Sequence, residues 1–178
     1  MKDHVEPALL DFLPYHFLLV SASKAGYLKY LDVSIGQQVV EIKTKRGQPT
    51  CMQHNPQNGV LSVGHSSGEI TMWTPNTGST PVVRLLAHPS SSVTSVAVSK
   101  CGKYMVSTGK ESRFKVWDLR SSYKSLYEYF TPVPASSSSF SDTGLLSLGL
   151  GSCVQIWRNT PLEKQKAPYM KHNVVGRQ

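Results

Sequence analysis

Apolar and polar residues alternate in short runs along most of the chain, and glycine-containing turns separate the runs. The region from Val93 to Leu119 shows this pattern best. Its three apolar runs are residues 93–98, 104–106 and 114–117. Gly102 and Gly109 interrupt the pattern between them, and short runs joined by tight turns are typical of antiparallel strands. No stretch has a 3.6-residue period, so we expect little helix.

The same unit recurs with a period near 40 to 45 residues. Trp73, Trp117 and Trp157 lie 44 and 40 residues apart, and Leu31 lies 42 residues before Trp73. A glycine lies five residues before and five residues after both Leu31 and Trp73. A four-strand unit repeated at this period is typical of WD-type propeller blades. We therefore predict an all-β, WD40-type β-propeller segment. Its third strands should carry Leu31, Trp73, Trp117 and Trp157 at one repeat position, buried between adjacent sheets.

The repeat predicts about four blades of four antiparallel strands within residues 1–160. The expected blades are 9–42, 49–88, 93–130 and 135–158. The apolar pattern is lost beyond them, and residues 161–178 are expected to be a basic tail with one short strand near Tyr169 and Met170.

The four blades are expected to form an open arc, because a closed four-blade ring requires strongly wedge-shaped sheets. The ends of the arc would then expose apolar residues near Leu10 to Leu19 and near Leu145 to Trp157. Exposed apolar patches mark interfaces or aggregation sites. We therefore expect the isolated chain to be marginally stable.

The composition adds a basic character. The 178 residues include 19 Lys and Arg against 11 Asp and Glu, a net charge of +8. This balance favours a polyanionic partner such as nucleic acid or anionic lipid, although an ordinary basic protein would share it. Cys51, Cys101 and Cys153 form no CxxC pair, so we expect reduced thiols in an intracellular protein and no metal site. The apolar run 17–20 is too short to span a bilayer, and no cofactor or small-molecule substrate is predicted.

His88 lies five residues before the start of the third unit. A buried histidine, an acid, a hydroxyl residue and the strand tryptophan can hydrogen-bond as a chain within one blade. We predict such a structural network, without a catalytic role, from His88, Ser107, Glu111 and Trp117. His88 should lie within hydrogen-bond reach of Ser107 or Thr108. A solvent-facing His88 is the alternative.

The turns that carry basic residues assign them to the two faces of the propeller. The turn between the second and third strands lies on the same face as the connection to the next blade. Lys24, Lys43, Lys45, Arg46 and Lys110 occupy these two kinds of segment, which makes them a candidate RNA-contact face. The opposite face should carry Lys100, Lys103, Arg120 and Arg158. For each residue taken singly, an ordinary solvated loop charge is the alternative.

Two motifs suggest chemistry that their surroundings do not support. Gly64 to Gly68, GHSSG, matches the G-x-S-x-G nucleophile elbow, which requires a strand before it and a helix after it. The following EITMW alternates as a strand instead. Gly149-Leu-Gly151 lacks the third glycine and the helix of a dinucleotide site. We predict that the chain is not an enzyme, with a hydrolase built on Ser66 as a distant alternative.

Several runs of the chain resemble the BING-four family of WD-repeat proteins. These runs are LDFLPYHFLLVSASKAGYLKYLDVSIGQ from Leu10, GHSSGEITMWTP from Gly64, GKYMVSTGKESRFKVWDLR from Gly102 and SDTGLLSLGLG from Ser141. APYMKH from Ala167, with Gly176, resembles the start of the family's C-terminal region. The family's basic helical N-terminal extension, earlier blades and remaining C-terminal domain have no counterpart here, so the chain is expected to be a partial propeller.

The resemblance implies a non-enzymatic scaffold of the nucleolar small-subunit processome. Such a scaffold would support maturation of small-subunit rRNA by binding pre-rRNA and processome proteins in the nucleolus, with no membrane partner. A generic WD-repeat protein–protein adaptor with no RNA role is the main alternative.

Overall fold

A computed structural model describes residues 7–120, 123–158 and 171–175, which contain sixteen strands. The first sheet consists of β1 (Pro7–Leu13), β2 (Leu18–Ser23), β3 (Tyr27–Asp32) and β4 (Gln37–Lys43). The second consists of β5 (Pro49–His54), β6 (Leu61–His65), β7 (Glu69–Trp73) and β8 (Val83–Leu86). The third consists of β9 (Val93–Val98), β10 (Tyr104–Gly109), β11 (Arg113–Asp118) and β12 (Ser125–Phe130). The fourth consists of β13 (Ser137–Phe140), β14 (Leu145–Leu150), β15 (Cys153–Arg158) and β16 (Lys171–Val175).

Each sheet is an antiparallel meander whose strands follow one another in chain order, and we call these sheets blades one to four. The prediction of an all-β, WD40-type propeller segment is therefore confirmed. The only helix in the described residues is the three-residue 3-10 turn Pro14–His16. Nowhere in those residues is there a helix long and apolar enough to cross a membrane.

The fourth blade extends further than the sequence pattern indicated. Residues 171–175 form its outer strand, β16, which pairs antiparallel with β15. The pattern ended this blade at residue 158 and placed 171–175 in a loose tail. The expected strand near Tyr169 and Met170, like the rest of the tail at 161–170 and 176–178, lies outside the described residues.

The repeat position predicted from tryptophan spacing is present in every blade. Its four residues lie on the third strands, and each pairs with the first or second residue of the second strand of its blade. The pairs are Leu31 with Leu19, Trp73 with Leu61, Trp117 with Met105 and Trp157 with Leu146. The three tryptophans are buried, whereas Leu31 is only half-buried.

Strand alternation sends neighbouring residues of the third strand to opposite sides of the blade. Trp73 packs with Leu28 and Tyr30 of blade one, while Met72 packs with Val93 and other residues of blade three. The pattern repeats at the next interface, where residues of blade three pack around Trp157. Each tryptophan therefore faces the preceding blade, while Met72 and Val116, which precede Trp73 and Trp117, face the following blade.

The blades form an open arc in which each described blade packs on its neighbours in sequence. On the outer side of blade four, Val154 and Ile156 are 49% and 37% exposed. The equivalent side chains in the other blades are at most 6% exposed. They are Leu28, Tyr30, Ile70, Met72, Phe114 and Val116. On the outer side of blade one, Leu10 and Phe12 are 63% and 42% exposed.

Threonine hydroxyls near the propeller axis join consecutive blades. Thr50 on β5 donates to the Val93 carbonyl at 2.7 Å, and Thr94 on β9 donates to the Ala135 carbonyl at 2.7 Å. The repeat of this bond holds the inner strands at a constant offset from one blade to the next.

Backbone hydrogen bonds place the inter-blade connections beside the turns that follow the second strands. The Thr44 amide donates to Gly26, the His88 amide to Gly68 and the Thr131 amide to Ser112, at 2.8–2.9 Å. We call the face of the propeller that carries these connections and turns the upper face. The opposite face, which carries the remaining turns, is the lower face. Gly68 has φ +82°, and a Cβ there would lie 1.8 Å from the His88 carbonyl oxygen, so the approach requires glycine.

Met72 and Ile156 offer a matched test of the open arc, because both directly precede a repeat tryptophan. Met72→Ala should lower the free energy of unfolding by about 2–5 kcal/mol, as expected for a fully buried side chain. Ile156→Ala should cost less than about 1.5 kcal/mol, since its side chain is already partly in water. Urea unfolding of the two variants measures both values. Equal costs would contradict an exposed outer side of blade four.

Candidate functional site

A series of four hydrogen-bonded side chains, each buried or half-buried, crosses blade three from its upper face. His88 comes from the connection between blades two and three, Ser107 from β10, Glu111 from the β10–β11 turn and Trp117 from β11. His88 Nε2 lies 3.0 Å from Ser107 Oγ, and Trp117 Nε1 donates to the same hydroxyl at 2.9 Å. His88 Nδ1 lies 2.5 Å from Glu111 Oε1. The structure therefore brings together the four residues singled out in the sequence.

The donor and acceptor properties of these four side chains determine which atom carries each proton. The Trp117 indole can only donate, so the Ser107 oxygen accepts from it and gives its own proton to His88 Nε2. His88 must then carry its proton on Nδ1, from which it donates to Glu111. The Ser91 hydroxyl donates to the other oxygen of this carboxylate. Every polar group of the network has a partner while the imidazole is neutral.

The pKa shifts agree with this assignment. Burial lowers the pKa of His88, and the hydrogen bond with Glu111 opposes that effect only in part. Burial acts to raise the pKa of Glu111, but hydrogen bonds, first among them the one from Ser91, lower it overall. At neutral pH the contact is thus a hydrogen bond from a neutral imidazole to a carboxylate. The two groups form an ion pair only at acidic pH, where His88 is protonated.

The order Ser107, His88, Glu111 repeats the donor and acceptor order of a hydrolase triad. A triad serine must reach substrate, but Ser107 and His88 are both fully buried. The Ser107 oxygen also accepts the Trp117 indole proton, which occupies a lone pair that a nucleophile would use. The arrangement stabilises the blade and offers no accessible nucleophile.

Blade two contains a second imidazole network that the sequence analysis missed. His65 Nε2 lies 2.7 Å from Thr71 Oγ1, and Trp73 Nε1 donates to the same oxygen at 2.8 Å. His65 ends β6 at the register position that Gly109 holds in blade three. A Cβ at Gly109 would lie 2.5 Å from His88 Nδ1. In blade three this position is Gly109, and the imidazole of His88 enters from the connection between blades. In blade two the position is His65, and the strand itself supplies the imidazole.

A detectable signal for this network existed in the sequence. Thr71 and Trp73 are two residues apart, so they lie on the same side of β7. His65 ends the neighbouring strand of the same hairpin. Burial lowers the pKa of His65 to about 4, so this imidazole is neutral at physiological pH.

The GHSSG motif lies in a β-hairpin. Ser66 is in the turn that joins β6 to β7, and its hydroxyl accepts a hydrogen bond from the Gln48 amide at 3.1 Å. A nucleophile elbow joins a strand to a helix, so this segment has the wrong architecture for one. Elsewhere in the described ranges, no group of three or more His, Cys, Asp or Glu residues could hold a metal ion.

The five residues of the candidate RNA-contact face all lie at the upper face. Lys24 and Lys110 are in turns after second strands, Lys43 ends β4, and Lys45 and Arg46 lie in the next connection. The four lysines are exposed, and Lys43 also lies over the Tyr27 ring at 5.2 Å. Arg46 is partly buried, with its Nε 3.7 Å from Glu69 Oε2. Lys100, Lys103 and Arg120 lie in lower-face turns, and Arg158 ends β15.

Removing the imidazole of blade three tests its contribution to stability. His88→Ala should lower the free energy of unfolding by roughly 1–3 kcal/mol, because Ser107 and Glu111 lose a buried partner. His16→Ala removes an exposed imidazole and serves as the control. Thermal and urea unfolding measure both. An unchanged melting temperature in His88→Ala would contradict a stabilising network.

The lowered histidine pKa values predict acid sensitivity. A histidine whose folded pKa lies below its unfolded value of about 6.5 stabilises the fold fully above that pH and loses this contribution as the pH falls. For His65 the loss should reach roughly 2–3 kcal/mol by pH 4.5. His65→Gln should flatten the decline in unfolding free energy between pH 7 and 4.5, whereas His16→Gln should keep it. Identical pH profiles for the two variants would count against a buried neutral His65.

Residues 79–118 match the family described as WD domain, G-beta repeat. This segment contains β8 to β11, and hence both His88 and Trp117. A chain in a crystal structure of the mitotic checkpoint complex superposes with a TM-score of 0.75 at 21% identity, covering 85% of this chain and 47% of that one. At this identity the likeness shows the propeller fold alone.

Curated relatives match nearly the whole chain. U3 small nucleolar RNA-associated protein 7 of Saccharomyces cerevisiae is 44% identical over 160 residues, which cover 89% of this chain and 28% of the relative. WD repeat-containing protein 46 is 38% identical over 171 residues in Homo sapiens and 36% over 176 in Caenorhabditis elegans. These alignments cover 94% and 99% of this chain, and 28% and 30% of the relatives. Over the segment they share, the chain is a homologue of these proteins and belongs to the BING-four family of WD-repeat proteins.

Proposed function

We propose that this chain is a non-enzymatic scaffold in assembly of the small-subunit processome, or 90S pre-ribosome. It would support maturation of small-subunit rRNA by binding pre-rRNA and processome proteins in the nucleolus. The observation that carries the proposal is the 44% identity with a protein named for its association with U3 small nucleolar RNA. The chain spans less than a third of that protein's length, so its partners are inferred from the shared segment.

The upper face supports the RNA part of the proposal. Lys24, Lys43, Lys45 and Lys110 place four exposed cations on the same face of the arc. Among the nearby carboxylates, Glu69 contacts Arg84 and Arg46, whereas Glu111 keeps its negative charge beside the neutral His88. The exposed lysines supply the positive charge of this face, and lysines attract phosphates without reading sequence.

The buried networks support a binding role in place of catalysis. In blades two and three the histidines and the tryptophan indoles hydrogen-bond to shared hydroxyls within the sheets. These groups stabilise a rigid surface, and a rigid surface with exposed loops is what a scaffold presents to its partners.

A protein–protein adaptor with no RNA role is the second candidate. The exposed apolar side chains on the outer sides of blades one and four favour it, because such patches mark protein interfaces.

RNA binding by the upper face can be measured with the purified chain and a fluorescein-labelled, 20-nucleotide single-stranded RNA. Replacing Lys24, Lys43, Lys45 and Lys110 with Ala should weaken binding and lower the slope of log affinity against log salt by about 3, at about 0.7 per phosphate contact. The matched control replaces Lys100, Lys103, Arg120 and Lys124 on the lower face and carries the same charge change. Equal effects of the two sets would contradict an upper-face RNA site.

Crosslinking in cells separates the two candidate functions. If the proposal holds, the chain recovers pre-rRNA together with processome proteins and localises to the nucleolus. The upper-face variant should recover less pre-rRNA, while the lower-face variant keeps it. Recovery of proteins without RNA would support the adaptor.

A further inference from the structure

A cleft of about 210 Å³ opens at the lower face between blades three and four. Its walls come from both blades and are apolar. They are formed by Val106, Val116, Leu146 and Trp157, with the half-buried rings of Tyr104 and Phe140 beside the turns. Turn residues Ser99, Cys101 and Thr143 border the opening.

This cleft is a local exception to the packing between blades. At the corresponding place between blades two and three, a space of only about 10 Å³ remains. Leu119 and Tyr123 fill that interface from the lower face and pack with Met72 and its neighbours. Met72 holds the same repeat position as Val116, so the two places are directly comparable. Between blades three and four, the described side chains leave room for one large side chain.

The walls determine which side chain fits best. Three aromatic rings, those of Tyr104, Phe140 and Trp157, surround the space, and aromatic rings prefer edge or offset contacts with one another. Val106, Val116 and Leu146 offer no hydrogen-bonding groups there. A nucleobase would bury its polar edge without partners, which is costly, whereas the ring of a phenylalanine would not.

The surroundings of the opening are basic. Arg120 Nη2 donates to the Cys101 carbonyl at 2.8 Å, and the Lys103 ammonium lies over the Tyr104 ring at 5.1 Å. Lys100 pairs with Asp142 at 2.5 Å, but both side chains are more than 60% exposed. Around the turns that border the cleft, three cationic side chains outnumber two carboxylates. They are Lys100, Lys103 and Arg120 against Asp118 and Asp142.

We propose that this cleft binds a short acidic segment of a partner protein, which inserts one aromatic side chain between blades three and four. The basic surroundings complement the acidic flanks, and the apolar walls take the ring as a buried anchor. The site lies on the face opposite the candidate RNA contacts. Peptide binding at this site can therefore be tested independently of RNA binding by the upper face.

The test uses three fluorescein-labelled heptapeptides and the whole chain, with binding followed by fluorescence anisotropy. The first has a central Phe flanked on each side by three Asp or Glu residues. The second has Ala at the centre, and the third has Lys flanks around Phe. We expect the first to bind at least tenfold more tightly than the others. Equal binding of the first two would overturn the aromatic anchor, and absence of binding would overturn the site.

Substitutions at the cleft test whether the peptide binds there. Thr143→Trp should fill the opening and weaken binding of the acidic Phe peptide at least tenfold. Ser79→Trp, in the exposed β7–β8 connection, is the matched control and should have no effect. Arg120→Glu should weaken binding several-fold, and Lys24→Glu on the upper face should not. If Thr143→Trp leaves binding unchanged, the proposed location is wrong.

Maleimide labelling of Cys101, separated from that of the half-buried Cys153 by peptide mass mapping, gives a readout that requires no substitution. The Cys101 side chain borders the cleft, and a hydrogen bond with Ser99 lowers its thiol pKa, which favours reaction with a maleimide. Burial raises the pKa of Cys51 to about 11, which keeps that thiol unreactive. The acidic Phe peptide should slow Cys101 labelling several-fold. Equal protection by the 20-nucleotide single-stranded RNA would indicate a nucleic-acid site there and overturn the proposal.

Discussion

The packing of one blade face against the next is the interaction on which the rest of this structure depends. A four-stranded meander has two faces and cannot cover either by itself. Strand alternation gives each third strand a large side chain on one side and another apolar side chain on the other, as with Trp73 and Met72. Stacking the blades buries both. Threonines at the inner strands, Thr50 and Thr94, keep the offset constant from blade to blade.

Burying tryptophans between sheets creates a polar problem, because each indole carries an N–H that needs an acceptor. Blade three supplies Ser107, which is supported by His88 from the connection, and blade two supplies Thr71, which is supported by His65 from the strand. A network that resembles a catalytic triad is thus a consequence of packing. Burial keeps His88 and His65 neutral, and it also makes Ser107 inaccessible to a substrate.

The arc separates two surfaces with different chemistry. The upper face carries connections and turns that are joined to each other by backbone hydrogen bonds, together with exposed lysines. The lower face holds an imperfectly filled interface between blades three and four. The proposed RNA contacts use the upper face through charge, and the proposed peptide site uses the lower face through burial.

The sequence by itself determined the repeat, the strands up to residue 158 and the residues of the blade-three network. These follow from short-range periodicity and from spacings that a single blade imposes. Only the tertiary structure decided that 171–175 complete blade four, since β16 is separated from its partner by a long segment with no repeat signal. It also revealed His65 in the place of Gly109 and the cleft beside Trp157. Both depend on how side chains from different strands share one space, which the pattern along a single chain does not specify.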